Sequence, residues 1–410
     1  AATELVLGST TDDGNVQIAA VGSQGTIFTR FLSDAERLQG TSPVFTLAAG
    51  SYKIVVTSAD GRATPAYGLA LYNVAGAQAL TPGAVVTEAF NPGGSLQAYT
   101  VQASAGQQLR VIAGTSGSRS YRDQVIVLDP NGVPLGGGQD LFQTNGYAAT
   151  VSGTYTLLIQ GTANASYTLA AFVDPAPAPL ALNARVAGTL PSGNDIARYS
   201  FTLGTAVQLL FDSLTNNGNL YWSLTGPHGT VTSHSFYSSD SYESGGTAVL
   251  SLPGGTYTLT ISNAAGAYDF RLLDLATATL LQPGTPVSGT DAPGNATSLY
   301  AFDAAAGVPL SVSGTADAGY VSLKIIDPSG QTVFGPTDFQ TRLFTPTATG
   351  RYTILAEGRV FDTVAARSFT LGVQAVPSQT IPLTHLSATP GLISEPGQIG
   401  RTALVLPQRQ

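Results

Sequence analysis

Gly153-Thr154-Tyr155-Thr156-Leu157-Leu158-Ile159-Gln160 decides the fold. A glycine, one spacer and a tyrosine open a run of alternating threonine and aliphatic residues, the period-2 pattern of a strand that buries one face. The same opening recurs at Gly50-Ser51-Tyr52, Gly255-Thr256-Tyr257 and Gly350-Arg351-Tyr352, with tyrosine spacings of 103, 102 and 95 residues. A second aromatic follows each, at Tyr67, Tyr167, Tyr268 and Phe369, spaced 100, 101 and 101 residues apart. Two independent markers keeping one period identify a tandem array.

Working outward, Tyr99-Thr100-Val101, Tyr199-Ser200-Phe201 and Tyr300-Ala301-Phe302 open further alternating runs at the same period. Tight turns recur at Asp129-Pro130-Asn131-Gly132, Gly226-Pro227-His228-Gly229 and Asp327-Pro328-Ser329-Gly330. Aliphatic runs such as Val125-Ile126-Val127-Leu128 precede them, so each reads as a buried strand entering a hairpin. Short strands broken by Gly, Pro, Asn and Asp, about eight per unit, predict an all-β protein of tandem β-sandwich units. The expected boundaries are 1–74, 75–174, 175–275 and 276–375, followed by a tail, 376–410. Proline-rich joints at Asp174-Pro175-Ala176-Pro177-Ala178-Pro179 and Gln282-Pro283-Gly284 fall at two of these boundaries.

Composition narrows the function. Among 410 residues only 10% are charged, with 47 glycines, 24 prolines and a net charge of -8 without any Lys/Arg cluster. Nothing here would neutralise a nucleic-acid backbone, and no apolar run is long enough to span a bilayer as a helix. Cysteine and methionine are both absent, which fits exposure to oxidants outside the cell, since these side chains oxidise most readily. The chain opens Ala1-Ala2-Thr3, as a secreted product would after losing its leader. A secreted or cell-surface location is therefore expected.

The order of Tyr-x-Phe strand, Ala-Gly turn, aliphatic strand, Asp-Pro-x-Gly hairpin, Gly-Thr-Tyr-x-Leu and a final Tyr-x-Leu resembles the bacterial pre-peptidase C-terminal domain. The likeness covers roughly residues 75 to 375 and is clearest in 276–375. It implies jelly-roll-like sandwiches of the kind appended to secreted proteases and surface proteins. Some family members bind calcium or collagen, but no acidic cluster here matches such a site.

The two ends of the array differ from its middle. Glu4-Leu5-Val6-Leu7 matches Leu109-Arg110-Val111-Ile112, and Val16 to Gly25 matches the run leading to Gly132, so the first unit is expected to lack its first two strands. In the tail, Ile399 to Leu406 lies over Ile196 to Leu203 at an offset of 203 residues, and Ile381-Pro382-Leu383 falls near Leu180-Ala181-Leu182. A sandwich missing strands exposes core and unpaired edges that another chain can fill. The expectation is self-association, head to tail, through Ile381, Leu383, Leu386, Ile399, Leu404 and Leu406 of the tail and Leu5 and Leu7 of the head. A segment of a large adhesin or stalk, a tail folding onto its own head, and a ligand- or carbohydrate-binding module of a secreted enzyme are the alternatives.

Reactive chemistry is sparse. His228 and His234 lie near Asp240 and several serines, but no nucleophile elbow accompanies them, and they read as loop residues. Asp12-Asp13-Gly14-Asn15 offers oxygen ligands for calcium, yet the same residues are what a hairpin turn demands. Asp123 and Asp291 stand isolated. Trp222, the one tryptophan, alternates with Leu220 and Leu224 and is expected in the core. No catalytic residue, cofactor or metal is assigned, and the chain is read as a non-enzyme.

Overall fold

The computed structural model describes residues 3–12, 15–32, 44–61, 66–90, 96–115, 123–136, 138–141, 143, 145–161, 166–239, 249–317, 319–376, 378–382 and 399–403. The architecture is all-β and is built from tandem jelly-roll-like sandwiches. Two compact units divide the chain, Ala1–Pro177 and Ala178–Gln410, with the break inside the proline-rich joint.

The first sandwich holds β1 (Thr3–Asp12), β2 (Val16–Gly22), β3 (Gly25–Phe31), β4 (Val44–Leu47), β5 (Lys53–Ser58) and β6 (Tyr67–Asn73). The second holds β7 (Gln78–Ala79), β8 (Val86–Ala89), β9 (Leu96–Ala103), β10 (Gln108–Thr115), β11 (Gln124–Leu128), β12 (Gln139–Asp140), β13 (Asn145–Ala148), β14 (Gly153–Gln160) and β15 (Ser166–Asp174). In the third are β16 (Ala178–Pro179), β17 (Arg185–Leu190), β18 (Ala197–Leu203), β19 (Val207–Ser213), β20 (Tyr221–Gly226), β21 (Gly229–Ser235), β22 (Val249–Leu252), β23 (Gly255–Ser262) and β24 (Gly266–Asp274). The fourth repeats the order with β25 (Thr279–Leu280), β26 (Val287–Asp291), β27 (Thr297–Ala304), β28 (Leu310–Ala316), β29 (Val321–Ile326), β30 (Thr332–Asp338), β31 (Arg342–Phe344), β32 (Gly350–Gly358) and β33 (Arg367–Ala375). Two tail strands follow, β34 (Ser378–Pro382) and β35 (Ile399–Ala403).

Each of the last three sandwiches thus has nine strands where the sequence suggested eight. The extra one is a two-residue opening strand that pairs parallel with the third strand, as β7 does with β9. A five-stranded sheet, β12-β11-β14-β9-β7, faces a four-stranded one, β13-β10-β15-β8, and the third and fourth sandwiches repeat both orders. Inward residues of the two sheets make one core per sandwich. In the second, Tyr155, Leu157 and Ile159 of β14 are fully buried against Leu109 and Leu169 of the facing sheet.

The Gly-x-Tyr marker has a physical basis. Each tyrosine hydroxyl donates to the carbonyl four residues upstream: Tyr52 to Ala48 at 2.8 Å, Tyr155 to Val151 at 2.6 Å, Tyr257 to Pro253 at 2.8 Å and Tyr352 to Ala348 at 2.9 Å. The glycine is tied to the hairpin turn. A Cβ on Gly255 would lie 2.4 Å from Pro227, and one on Gly350 would lie 2.8 Å from Pro328, while both glycines hold positive φ. The two markers recur together because they touch.

Within each compact unit the paired sandwiches are joined by outward-facing apolar residues. In the first unit Val6 and Val74 meet Leu96, Ile126, Leu128 and Leu158. In the second, Leu210, Leu273 and Leu275 meet Ile326 and Leu355, with Leu299 half-buried beside them. This explains why β11 reads as an unbroken apolar run, because both of its faces are covered.

Candidate functional site

The first sandwich shares the tyrosine contact and the strand order of its neighbours, but among the described residues it has two three-stranded sheets, β3-β2-β5 and β4-β1-β6. Among the described residues no strand stands where a complete sandwich has its first three, the short opening strand making the expected two into three. In the second sandwich β14 lies between β11 and β9, and β15 between β10 and β8. Among the described residues β5 pairs only with β2, and β6 only with β1.

Exposure follows from the missing neighbours. Tyr52, Ile54 and Val56 face inward from β5 but are half-buried, where their counterparts Tyr155, Leu157 and Ile159 are fully buried. Tyr67 is 52% exposed and Leu71 47%, whereas Tyr167, Tyr268 and Phe369, at the position of Tyr67, are 1%, 5% and 3% exposed. In the complete sandwiches this aromatic meets a tyrosine from the third strand. Tyr99 and Tyr167 share a short hydroxyl contact, Tyr199 and Tyr268 are joined at 2.7 Å, and Tyr300 sits edge-on to Phe369 at 5.9 Å. Burial pushes the hydroxyl pKa values of Tyr99, Tyr167, Tyr268 and Tyr300 upward, so these bridges stay protonated.

The tail carries a strand pair of its own. β34 and β35 pair in parallel, Ile381 opposite Thr402 and Pro382 opposite Ala403, a stagger of 21 residues. The opening and third strands of every complete sandwich pair with the same stagger: Gln78 opposite Tyr99, Ala178 opposite Tyr199, and Thr279 opposite Tyr300. Ile381 and Ile399 therefore lie in this pair, while Leu383, Leu386, Leu404 and Leu406 lie outside the described residues. In the head, Leu7 is buried with Val16 and Ile18, and Leu5 is half-buried on the same face of β1. Val55 of β5 and Tyr67 and Leu71 of β6 are exposed, and none of them was among the residues expected to mediate self-association.

Other candidates resolve into packing. Trp222 is buried and stacked on Phe211 at 4.0 Å, its ring N–H donating to Ser239. His228 and His234 are exposed, His234 contacting Thr232 at 2.7 Å, and Asp240 lies outside the described residues. Asp12 ends β1, and Asp13 is outside the described residues. Among the described residues no three His, Cys, Asp or Glu side chains are grouped as metal ligands would be, and no helix is long and apolar enough to cross a membrane. Tyr320 and Phe361 form an exposed pair at a loop rim, but they meet edge-on, and the Arg367 guanidinium sits 4.0 Å over the Tyr320 ring.

Asp291 is isolated only in sequence. It is 1% exposed, accepts a hydrogen bond from Ser298 at 2.6 Å through Oδ1, and its Oδ2 has no hydrogen-bond partner. Burial pushes its pKa up to about 8, with the buried carboxylates of Asp212 and Glu357 adding to the rise and Arg271 opposing it. Arg271 binds Asp212 at 2.6 Å and donates to the Thr297 carbonyl at 2.8 Å, linking the third sandwich to the fourth. Burial likewise raises the pKa of Asp212.

No protein-family model matches the chain, and no curated protein matches it. Among solved structures, the CUB1-EGF-CUB2 domain of human MASP-1/3 aligns at 12% identity over 47% of this chain and 100% of that one, with a TM-score of 0.17. A triple jelly roll from an archaeal virus turret aligns at 12% identity over 79% and 85%, with a TM-score of 0.12. Bacteroides ovatus SGBP-B, in complex with a mixed-linkage heptasaccharide, aligns at 13% identity over 90% and 92%, with a TM-score of 0.12. At these scores the likeness carries no argument about function.

Proposed function

We infer that this chain is a non-catalytic structural subunit acting outside the cell, which assembles by placing β34 and β35 of one copy along the open edge of β5 in another. The observation that carries the reading is the parallel tail pair, whose 21-residue stagger repeats that of the strand pair that has no counterpart among the described residues of the first sandwich. In the third sandwich Ala197, Tyr199 and Phe201 of β18 stand opposite Ile261, Leu259 and Tyr257 of β23. By the same register Gly400 stands opposite Val56, Thr402 opposite Ile54 and Leu404 opposite Tyr52. The added strand supplies main-chain hydrogen bonds to β5 and apolar cover for its half-buried inner face. Head and tail are different surfaces, so the contact is heterologous and propagates into an open fibre unless a ring closes.

Cross-linking tests the register directly, because the chain has no cysteine. Arg198 stands opposite Thr260 in the third sandwich, and the matching pair across the proposed contact is Arg401 and Val55. Chains carrying only Val55→Cys, mixed with chains carrying only Arg401→Cys, are expected to form a disulfide-linked heterodimer under mild oxidation. Electron microscopy of the unmodified protein is expected to show fibres, which deletion of residues 376–410 abolishes. Monomeric protein with no 55–401 disulfide between chains refutes the reading.

A further inference from the structure

We propose that the second open edge of the first sandwich, that of β6, receives the tail segment centred on Gly391, with Tyr67 seated over that glycine. This extends the strand-donation reading and rests on it. In complete sandwiches the second strand pairs with the strand bearing the second aromatic: Gly188 stands opposite Tyr268, and Gly289 opposite Phe369. Both glycines are required by the ring. A Cβ on Gly188 would lie 2.3 Å from the Tyr268 hydroxyl oxygen, and one on Gly289 would lie 2.3 Å from the Phe369 ring and 2.4 Å from the Tyr300 hydroxyl. The aromatic folds across the backbone of the second strand to reach its partner on the third.

The tail has a glycine at this place. Gly188 lies nine residues after Pro179 and eleven before Tyr199, and Gly289 lies nine after Leu280 and eleven before Tyr300. Gly391 lies nine residues after Pro382 and eleven before Thr402, the positions fixed by the β34–β35 pairing. The connection therefore has the same length in the tail as in the complete sandwiches. Two residues further on in the sequence, Ile393 has the spacing of Leu190, a core residue of the third sandwich. The second sandwich differs in having Glu88 opposite Tyr167, and there the Tyr167 ring stacks on Phe90 at 4.4 Å. With Gly391 and Ile393 the tail follows the pattern of the third. On the receiving side, Tyr67 occupies the ring position and is half-exposed, and the edge of β6 beside it is unpaired among the described residues.

The test uses the full-length chain with Gly391→Val, read by light scattering for assembly and by the 55–401 disulfide for strand contact, with far-ultraviolet circular dichroism reporting that the sandwiches stay folded. A side chain at Gly391 is expected to weaken assembly at least tenfold. Adding Tyr67→Ala to the same chain is expected to restore part of the loss, since the ring that collides is gone. Assembly unchanged by Gly391→Val, or a loss that Tyr67→Ala does not relieve, overturns this inference and leaves the β5 contact standing. Absence of the interchain 55–401 disulfide when Gly391 and Tyr67 are both intact overturns both.

Discussion

Replacing Asp291 by asparagine should make the protein more stable at neutral and mildly alkaline pH, and the gain should grow as pH rises to about 8 and then level off. In the fold the carboxyl is pushed up to about 8 from an ordinary value of 3.8. Below about pH 4 it is protonated in both folded and unfolded chains and has no effect on the pH slope. Between about 4 and 8 the folded chain keeps a proton that the unfolded chain has released, so stability falls by up to roughly 1.4 kcal/mol per pH unit. Above about 8 both states are ionised and the slope vanishes. The ceiling on the loss is on the order of 5 kcal/mol at pH 8. Asparagine has no such slope, and its Oδ1 can still accept from Ser298. Urea unfolding at pH values from 5 to 9, followed by the fluorescence of Trp222, measures the difference, because the single tryptophan lies in the core of the third sandwich, which the Arg271–Thr297 contact ties to the fourth. Asp212 contributes a slope of the same sign, so the variant's profile flattens without becoming level. Parallel profiles for wild type and Asp291→Asn between pH 5 and 8 would refute the argument.

Three further substitutions test the packing and the tyrosine contact. Leu355→Ala removes a fully buried side chain from the joint between the third and fourth sandwiches and should destabilise by about 2–4 kcal/mol in chemical unfolding. Val55→Ala, at the matching position of the first sandwich, where the side chain is 41% exposed, should change stability by less than about 0.5 kcal/mol while the chain is unassembled. Tyr257→Phe, which deletes the hydroxyl donated to Pro253, should lose about 1 kcal/mol by the same measurement.

The period and the all-β class were legible because a glycine, a turn proline and a tyrosine touch one another in the repeat, and such a contact leaves a fixed spacing behind. The two-residue strands β7, β16 and β25 were not legible, since two residues are too few to show alternation. Outward leucines such as Leu158 and Leu355 gave no signal either, because strand pattern alone does not say that a second sandwich covers the outer face. The tail register was partly visible in the 203-residue offset of Ile399 to Ile196. Its parallel pairing was not visible, and neither was the exposure of Tyr67. Asp212, Arg271, Asp291 and Glu357 lie far apart in the chain, and only the fold brings them to one joint.

Each compact unit holds an apolar joint between its two sandwiches. The strand pairing sets Leu5 at the position of Leu109, one residue off the match read from the sequence, so the second sandwich places the salt-bridged Arg110 and Asp174 where the first has Val6 and Val74, and the third places Ser223 and Thr260 where the second has Ile126 and Leu158. A gene of this type can therefore grow or shrink by two modules at a time with every greasy surface still sheltered. Gain or loss of a single module would leave one such surface in water, so viable length variants are expected to differ by steps of about 200 residues.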